Sequence, residues 1–392
     1  MTEILLVLGL GMAVFVGYNI GGSTTGPAFG PAVGAGVVSK LLAAALMSVF
    51  FFAGAWTIGR RVVDTLGHEL VTDASAVFSL EANVAVLFFI GGALFIGNYA
   101  GVPASTSMTA VGAIAGLGLA AGQLAWGVMG RIVTWWIVAP IVAFWVSAVI
   151  GRYFYAKLNR RVALDRSDGP LLEFDRSGAV PRPRPGPNTT RRELAGTLVV
   201  VAIGCVMAFA SGTSNIANAI APLVGSGSLD MDAGILLGGV AVAVGAFTIA
   251  RRTLDTLGNN LTDLPLTAAI VVATVSATLV TLLSAIGIPA SFVIIATMSI
   301  VGLGWGRATR TTTVAEGVRG EGATVSVGSL VGDEPGERLP EIGEEDPADI
   351  PEATELFDPS TTARVVVMQN IVPILATVGA YTTFRFVPLF GF

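Results

Sequence analysis

Apolar runs dominate the chain and set its architecture. Eight of them, at 4–20, 37–59, 80–100, 129–151, 195–211, 232–250, 264–286 and 365–384, approach the ~20 residues that a helix needs to cross a bilayer. Four further apolar pieces, 21–36, 103–121, 212–227 and 288–306, are interrupted by Gly, Pro, Ser and Thr. They predict broken or re-entrant helices. Non-helical backbone survives at membrane depth only where protein buries it or where it lines a wet cavity.

The pattern occurs twice. Phe29–Gly36 aligns with Ile220–Gly227, and Arg60-Arg61-Val62-Val63-Asp64-Thr65-Leu66-Gly67 with Arg251-Arg252-Thr253-Leu254-Asp255-Thr256-Leu257-Gly258, both at an offset of 191. Gly101-Val102-Pro103-Ala104-Ser105 aligns with Gly287-Ile288-Pro289-Ala290-Ser291 at 186, and Arg131 and Pro140 with Arg364 and Pro373 at 233. A duplicated set of membrane segments, each with two broken pieces, is the pattern of secondary transporters, whose broken elements meet near the midplane. The fold class expected is an all-α polytopic membrane protein. Two homologous repeats, read as inverted, carry their broken helices around a central site.

Composition fits. Of the 392 residues 53% are hydrophobic and 12% charged, half the charge of a soluble domain. A soluble enzyme, a nucleic-acid binder and a disulfide scaffold are therefore not expected. The single Cys205 and single His68 give neither an internal disulfide nor a Cys/His metal site. Met1-Thr2-Glu3 lacks the basic start of a cleaved signal peptide.

Charge divides the chain further. Glu316 to Asp358 hold 13 acidic and 2 basic residues, so 306–361 reads as an acidic, disordered loop inserted in the second repeat. The stretch 152–192 is basic, with an Arg182-Pro183-Arg184-Pro185-Gly186-Pro187 run. It reads as a linker on the cytoplasmic side. The domains expected are repeat 1 at 1–151, the basic linker at 152–192, repeat 2 at 193–305 and 362–392, and the acidic loop at 306–361.

Three polar knots carry the candidate chemistry. Asn19 precedes Gly21-Gly22-Ser23-Thr24-Thr25; Gly212-Thr213-Ser214-Asn215 leads to Asn218; Gly101-Val102-Pro103-Ala104 leads to Ser105-Thr106-Ser107, with Ser291 at the matching place in repeat 2. None contains a charge. Glycine lets backbone approach a ligand, hydroxyls and amides donate hydrogen bonds, and a helix starting at such a turn aims free N–H groups and a positive dipole end at it. Together these describe an anion site. Serine, threonine and glycine in membrane helices also serve backbone bonding and packing alone. The substrate-binding candidates are Asn19, Gly21, Gly22, Ser23, Thr24, Thr25, Ser105, Thr106, Ser107, Ser214, Asn215, Asn218 and Ser291.

At these residues the chain resembles the inorganic phosphate transporter family. That family's signatures run G-A-N-D-V-A-N-A and G-[LI]-P-V-S-T-T-H. Asn218, Ala219, Pro222 and Leu223 are in place, as are Gly101 to Ser107, with Met108 where the family has His. Both aspartates are replaced: Ser23-Thr24 and Ser214-Asn215 stand at the Asn-Asp positions. In this respect, and in Asn19-Ile20-Gly21-Gly22-Ser23, the chain is more similar to the family's sulfate permease branch. The resemblance implies a secondary transporter of a tetrahedral oxyanion, sulfate ahead of phosphate, in the plasma membrane.

Chemistry agrees. Phosphate keeps a proton that a carboxylate can accept, whereas sulfate only accepts hydrogen bonds. Losing the carboxylates also removes oxygen ligands and charge suited to sodium, which favours proton coupling. The alternatives are a sodium- or proton-coupled phosphate transporter, with Thr24 and Asn215 in the aspartates' place, and a non-transporting membrane sensor or scaffold. No cofactor is expected beyond the coupling ion, H+ or Na+. The partners expected are an inorganic anion and lipid, with room for a homo-oligomer and none for nucleic acid.

Other residues carry simpler expectations. Asp64 and Asp255 read as ion pairs at membrane edges, and His68 as solvated. Glu81 and Asp263 sit near span starts at the interface, where a proton-coupling role is the alternative. Trp126, Trp135 and Trp136 suit an interfacial belt, and Cys205 reads as packing.

Overall fold

A computed structural model of the chain describes residues 2–34, 37–99, 105–162, 172–175, 182–186, 190–250, 254, 266–309 and 359–387. Ten principal helices account for most of them. They are α1 (Thr2–Gly34), α2 (Lys40–Glu69), α3 (Leu80–Tyr99), α4 (Thr106–Ala120), α5 (Trp126–Asn159), α6 (Arg191–Gly225), α7 (Met231–Phe247), α8 (Leu266–Ala285), α9 (Phe292–Ala308) and α10 (Pro359–Phe386). Every one of the eight apolar runs lies within or overlaps one of them. Six helices, α1, α2, α3, α5, α6 and α8, are long and apolar enough to cross a membrane.

Two of the four broken pieces are not broken. Residues 21–34 continue α1, and 212–225 continue α6. The polar side chains there satisfy the helix rather than interrupt it. The hydroxyls of Ser23 and Thr24 donate to the carbonyl of Ile20, Thr25 to that of Gly21, and Thr213 to that of Ala210. Such back-bonding, with support from neighbouring helices, is why membrane helices tolerate Gly and Pro. The other two pieces do break. α4 and α9 are short helices, and each starts at a serine N-cap, Ser105 and Ser291.

The stop before Ser291 has a clear cause. Gly287 sits at φ +76°; its N–H bonds to the carbonyl of Ser284, and the Ile288 N–H bonds to that of Leu283. This is a Schellman termination with proline next in sequence, a combination that ends a helix.

Packing follows the repeat. α1 lies on α7 as α6 lies on α2; α1 meets α3 as α6 meets α8; α4 packs on α10 as α9 packs on α5. Glycines sit at the first pair of crossings. A Cβ on Gly21 would fall closer than 3.0 Å to the carbonyl of Val242, and one on Gly245 to that of Tyr18. At the equivalent crossing Gly54 meets the carbonyl of Phe209, and Gly212 that of Phe51. Both pairs obey the offset of 191. Small residues let membrane helices touch backbone to backbone.

Charges sit at the rim. Arg60 pairs with Asp232 at 2.6 Å, Arg131 with Glu69 at 2.9 Å, and the exposed Asp64 lies 3.6 Å from half-exposed His68. Between α2 and α3 the carboxylate of Asp73 caps a single helical turn, Ala74–Val77. The Ala76 backbone N–H, then the Ser75 hydroxyl, hold its carboxyl below the ordinary aspartate value. Glu81 is exposed and Cys205 is buried.

The basic 152–192 segment has structure of its own. Helix continues to Val162, and Leu172–Asp175 pairs antiparallel with Arg182–Pro185. This small hairpin holds the named strands among the described residues. Asp255, Asp263 and most of the acidic loop lie outside those residues.

Candidate functional site

Four elements converge on one cavity. α1 supplies Ser23, Thr24, Pro27 and Ala28; the start of α4 supplies Ser105 and Thr106; α6 supplies Met207, Ser211 and Asn215; the start of α9 supplies Ser291, Phe292 and Val293. The space between them amounts to about 410 Å³, including its opening to solvent. Thr24 and Asn215 are related by the offset of 191, and Ser105 and Ser291 by 186. Positions related by the two sequence offsets thus meet at one cavity.

Its polar lining is six hydroxyls and one amide, with no charged side chain among the described lining residues. The N-terminal ends of α4 and α9 open onto it. In each, the capping serine accepts from the backbone, Met108 N–H on Ser105 and Ile294 N–H on Ser291, and keeps a hydroxyl proton to donate. Two positive helix ends and no carboxylate make a field suited to an anion.

Asn215 organises the interior wall. Its side-chain oxygen accepts from the Thr106 hydroxyl, from the Ser107 hydroxyl at 3.3 Å and from Asn218 Nδ2 at 3.2 Å. Its Nδ2 donates to Ser211 Oγ at 3.0 Å. This links α4 to α6. Ser107 and Ser214 lie one layer behind. Ser214 donates to the carbonyl of Ala290 at 3.1 Å and accepts from the Ala290 N–H at 3.0 Å, and Ser107 shares its one proton between that carbonyl, at 3.1 Å, and Asn215 Oδ1. They fix the turn that leads into α9.

Thus Ser23, Thr24, Ser105, Thr106, Asn215 and Ser291 line the cavity, and Ser107 and Ser214 support it. The remaining candidates lie elsewhere. Gly21 packs on α7, and a Cβ at Gly22 would meet Ile249. Asn19 donates to the Phe15 carbonyl and accepts from Asn98 Nδ2 at 3.0 Å. Thr25 back-bonds within α1, and Asn218 reaches Asn215 rather than the space itself.

Sequence reasoning missed Ser211, Met207 and Pro27. Ser211 stands one helical turn before Asn215, a spacing that places both on one face. The indole Nε1 of Trp136 donates to the carbonyl of Pro289 at 2.8 Å, a partner the sequence did not reveal. Half-buried in the first third of α5, it reaches the turn before α9.

The sequence pattern of the Phosphate transporter family matches residues 20–332. The chain belongs to the phosphate transporter family. This member is 31% identical over 296 residues to "Sulfate permease CysP" of Bacillus subtilis, covering 74% of this chain and 75% of that one. It is 28% identical over 381 residues to a protein named "Putative phosphate permease" in Chlamydia muridarum, covering 75% and 88%. A solved structure, "The sodium-dependent phosphate transporter", superposes with a TM-score of 0.66 at 17% identity, covering 98% of each chain. That likeness establishes the fold. As a phosphate transporter family member the chain is an integral plasma-membrane transporter of an inorganic anion, and not an enzyme.

Proposed function

We propose that this family member is a permease for a sulfate-like oxyanion, carried with protons. In this reading its two repeats are inverted and present equivalent polar faces to one central anion. The observation that carries it is the cavity lining. Thr24 and Asn215 stand where the resemblance places the family's aspartates, and both face the space. A fully deprotonated oxyanion offers acceptors only, so it needs donors and is repelled by a carboxylate. The hydroxyls of Ser105, Ser211 and Ser291, the second Nδ2 proton of Asn215 and two helix N-termini meet that need, while Ser23, Thr24 and Thr106 give their protons to Ile20 and Asn215.

The same lining disfavours sodium. A hard cation takes several oxygen ligands and prefers charged ones, and among the described residues no acidic cluster capable of holding a metal occurs. Similarity to the Bacillus subtilis sulfate permease supports the choice of anion. The basic 152–192 segment is placed in the cytoplasm on charge bias.

The test is labelled-anion uptake into proteoliposomes. Sulfate and phosphate compete with each other, with and without sodium and pH gradients. Sulfate uptake that responds to a proton gradient and ignores sodium and phosphate is expected. Sodium-driven phosphate uptake would overturn the reading, and would mean that Thr24 and Asn215 do the work of carboxylates.

A further inference from the structure

The turn that leads into α9 separates two cavities. On one face Ser291 lines the anion cavity; on the other, Ala290 and Ser291 line a second space walled by Met108, Trp135, Trp136, Ala139 and Leu283. The turn is held from both sides. Ser107 and Ser214 bind Ala290 from the anion side, and the Trp136 indole binds the Pro289 carbonyl from the other. Gly287, in the left-handed region, gives its upstream end a backbone conformation that other residues rarely adopt. Proline lacks an N–H, so Pro289 makes its tie to the scaffold through its carbonyl oxygen.

We propose that Trp136 is a positioning residue for anion transport: its indole N–H latches the Pro289–Ser291 turn closed between the two cavities. While the bond is made, Ala290 meets Ser107 and Ser214 and Ser291 faces the anion. When it breaks, the turn is released from α5, the anion loses the α9 N-terminus, and the site communicates with the space beside Trp136. The inference rests on the cavity being the anion site. The position matching Trp136 at the offset of 233 is Gln369, so the indole latch belongs to one repeat only.

Two readouts test it, one of which needs no substrate. In a Cys205→Ser background, Met108→Cys places a thiol in the second cavity, and its rate of modification by a charged maleimide reports access. Trp136→Phe keeps the ring and removes the donor. It is expected to raise the labelling rate several-fold, and to raise KM for sulfate by about 2- to 12-fold, the range for one lost hydrogen bond, at an unchanged melting temperature. Trp135→Phe, on the same cavity wall, leaves both values as they were.

Ala139→Leu fills the second cavity from α5, one turn beyond Trp135. It is expected to lower maximal uptake with KM preserved, and it decides the matter if Trp136→Phe does not fold. Wild-type labelling and KM in Trp136→Phe, or wild-type maximal uptake in Ala139→Leu, overturn the latch. If the unmodified protein moves neither sulfate nor phosphate while Trp136→Phe still speeds labelling, the anion reading fails and the latch stands.

Discussion

Replacing Asn215 by Asp tests the chemistry of the site with one atom. The side chain is 3% exposed, and its oxygen already accepts three hydrogen bonds. Those donors serve a carboxylate equally well, and the Ser211 hydroxyl can turn to donate. The change is therefore electrostatic rather than steric. At a separation of ~5 Å and an effective dielectric of ~20, a unit charge repels each charge of the anion by roughly 3 kcal/mol. A dianion with no proton feels roughly 6 to 7 kcal/mol.

Proton uptake by the new carboxylate relieves part of this. A loss of sulfate affinity of at least ~100-fold, about 2.7 kcal/mol, is the conservative expectation. Monobasic phosphate suffers half the repulsion. It also donates its own O–H to the carboxylate, a bond to a charged group worth ~1.5–3 kcal/mol, so its loss nearly cancels. The assay is competition uptake at pH 6, with KM measured for each anion in wild type and in Asn215→Asp. Selectivity should move towards phosphate by two orders of magnitude or more. A sulfate KM within twofold of wild type in the variant would refute the electrostatic argument.

Other expectations follow from the same geometry. Ser211→Ala removes a hydroxyl that lines the cavity; at ~1.5–3 kcal/mol for a lost hydrogen bond to a charged group, KM for the anion should rise roughly 10- to 150-fold in the uptake assay. Gly212→Ala places a methyl against the Phe51 carbonyl and should lower the melting temperature in detergent sharply, whereas Gly11→Ala, with nothing within 4 Å, should leave it unchanged or raise it. The Ser147 and Ser299 hydroxyls bond to each other across α5 and α9, so each single alanine variant should cost ~1–3 kcal/mol and the double variant much less, as a thermal-stability cycle will report. Asp73 titrates below its unfolded value, so its cap stabilises the Ala74–Val77 turn above the unfolded pKa and is lost as pH falls through the folded one. Hydrogen exchange at Ala76 should accelerate over that acidic window, and Asp73→Ala should abolish the change.

The sequence carried the architecture because apolar runs and an internal offset are strong, redundant signals. Its eight apolar runs fall on eight of the ten principal helices, and it named the six hydroxyl- and amide-bearing candidates that line the cavity. It failed where one residue type serves two purposes. Gly21 and Gly212 looked like ligand glycines, yet the contact they permit is between helices. The run 21–36 looked broken because Gly, Pro, Ser and Thr interrupt it, but through residue 34 it is helical and the hydroxyls of Ser23, Thr24 and Thr25 bond back to their own helix. Gly287-Ile288-Pro289 held its signal in plain view as a helix stop. Trp136 was beyond reach, since its partner Pro289 lies 153 residues away and an indole at a span reads equally well as an interfacial anchor.

The paired glycine crossings have a mechanical consequence. Where two backbones touch with no side chain between them, no rotamer change can loosen the joint. α1 with α7, and α2 with α6, are riveted at Gly21, Gly245, Gly54 and Gly212. Each riveted pair must travel as one piece through the transport cycle. The slack that carries an anion from one side to the other has to come from the short helices that begin at Ser105 and Ser291.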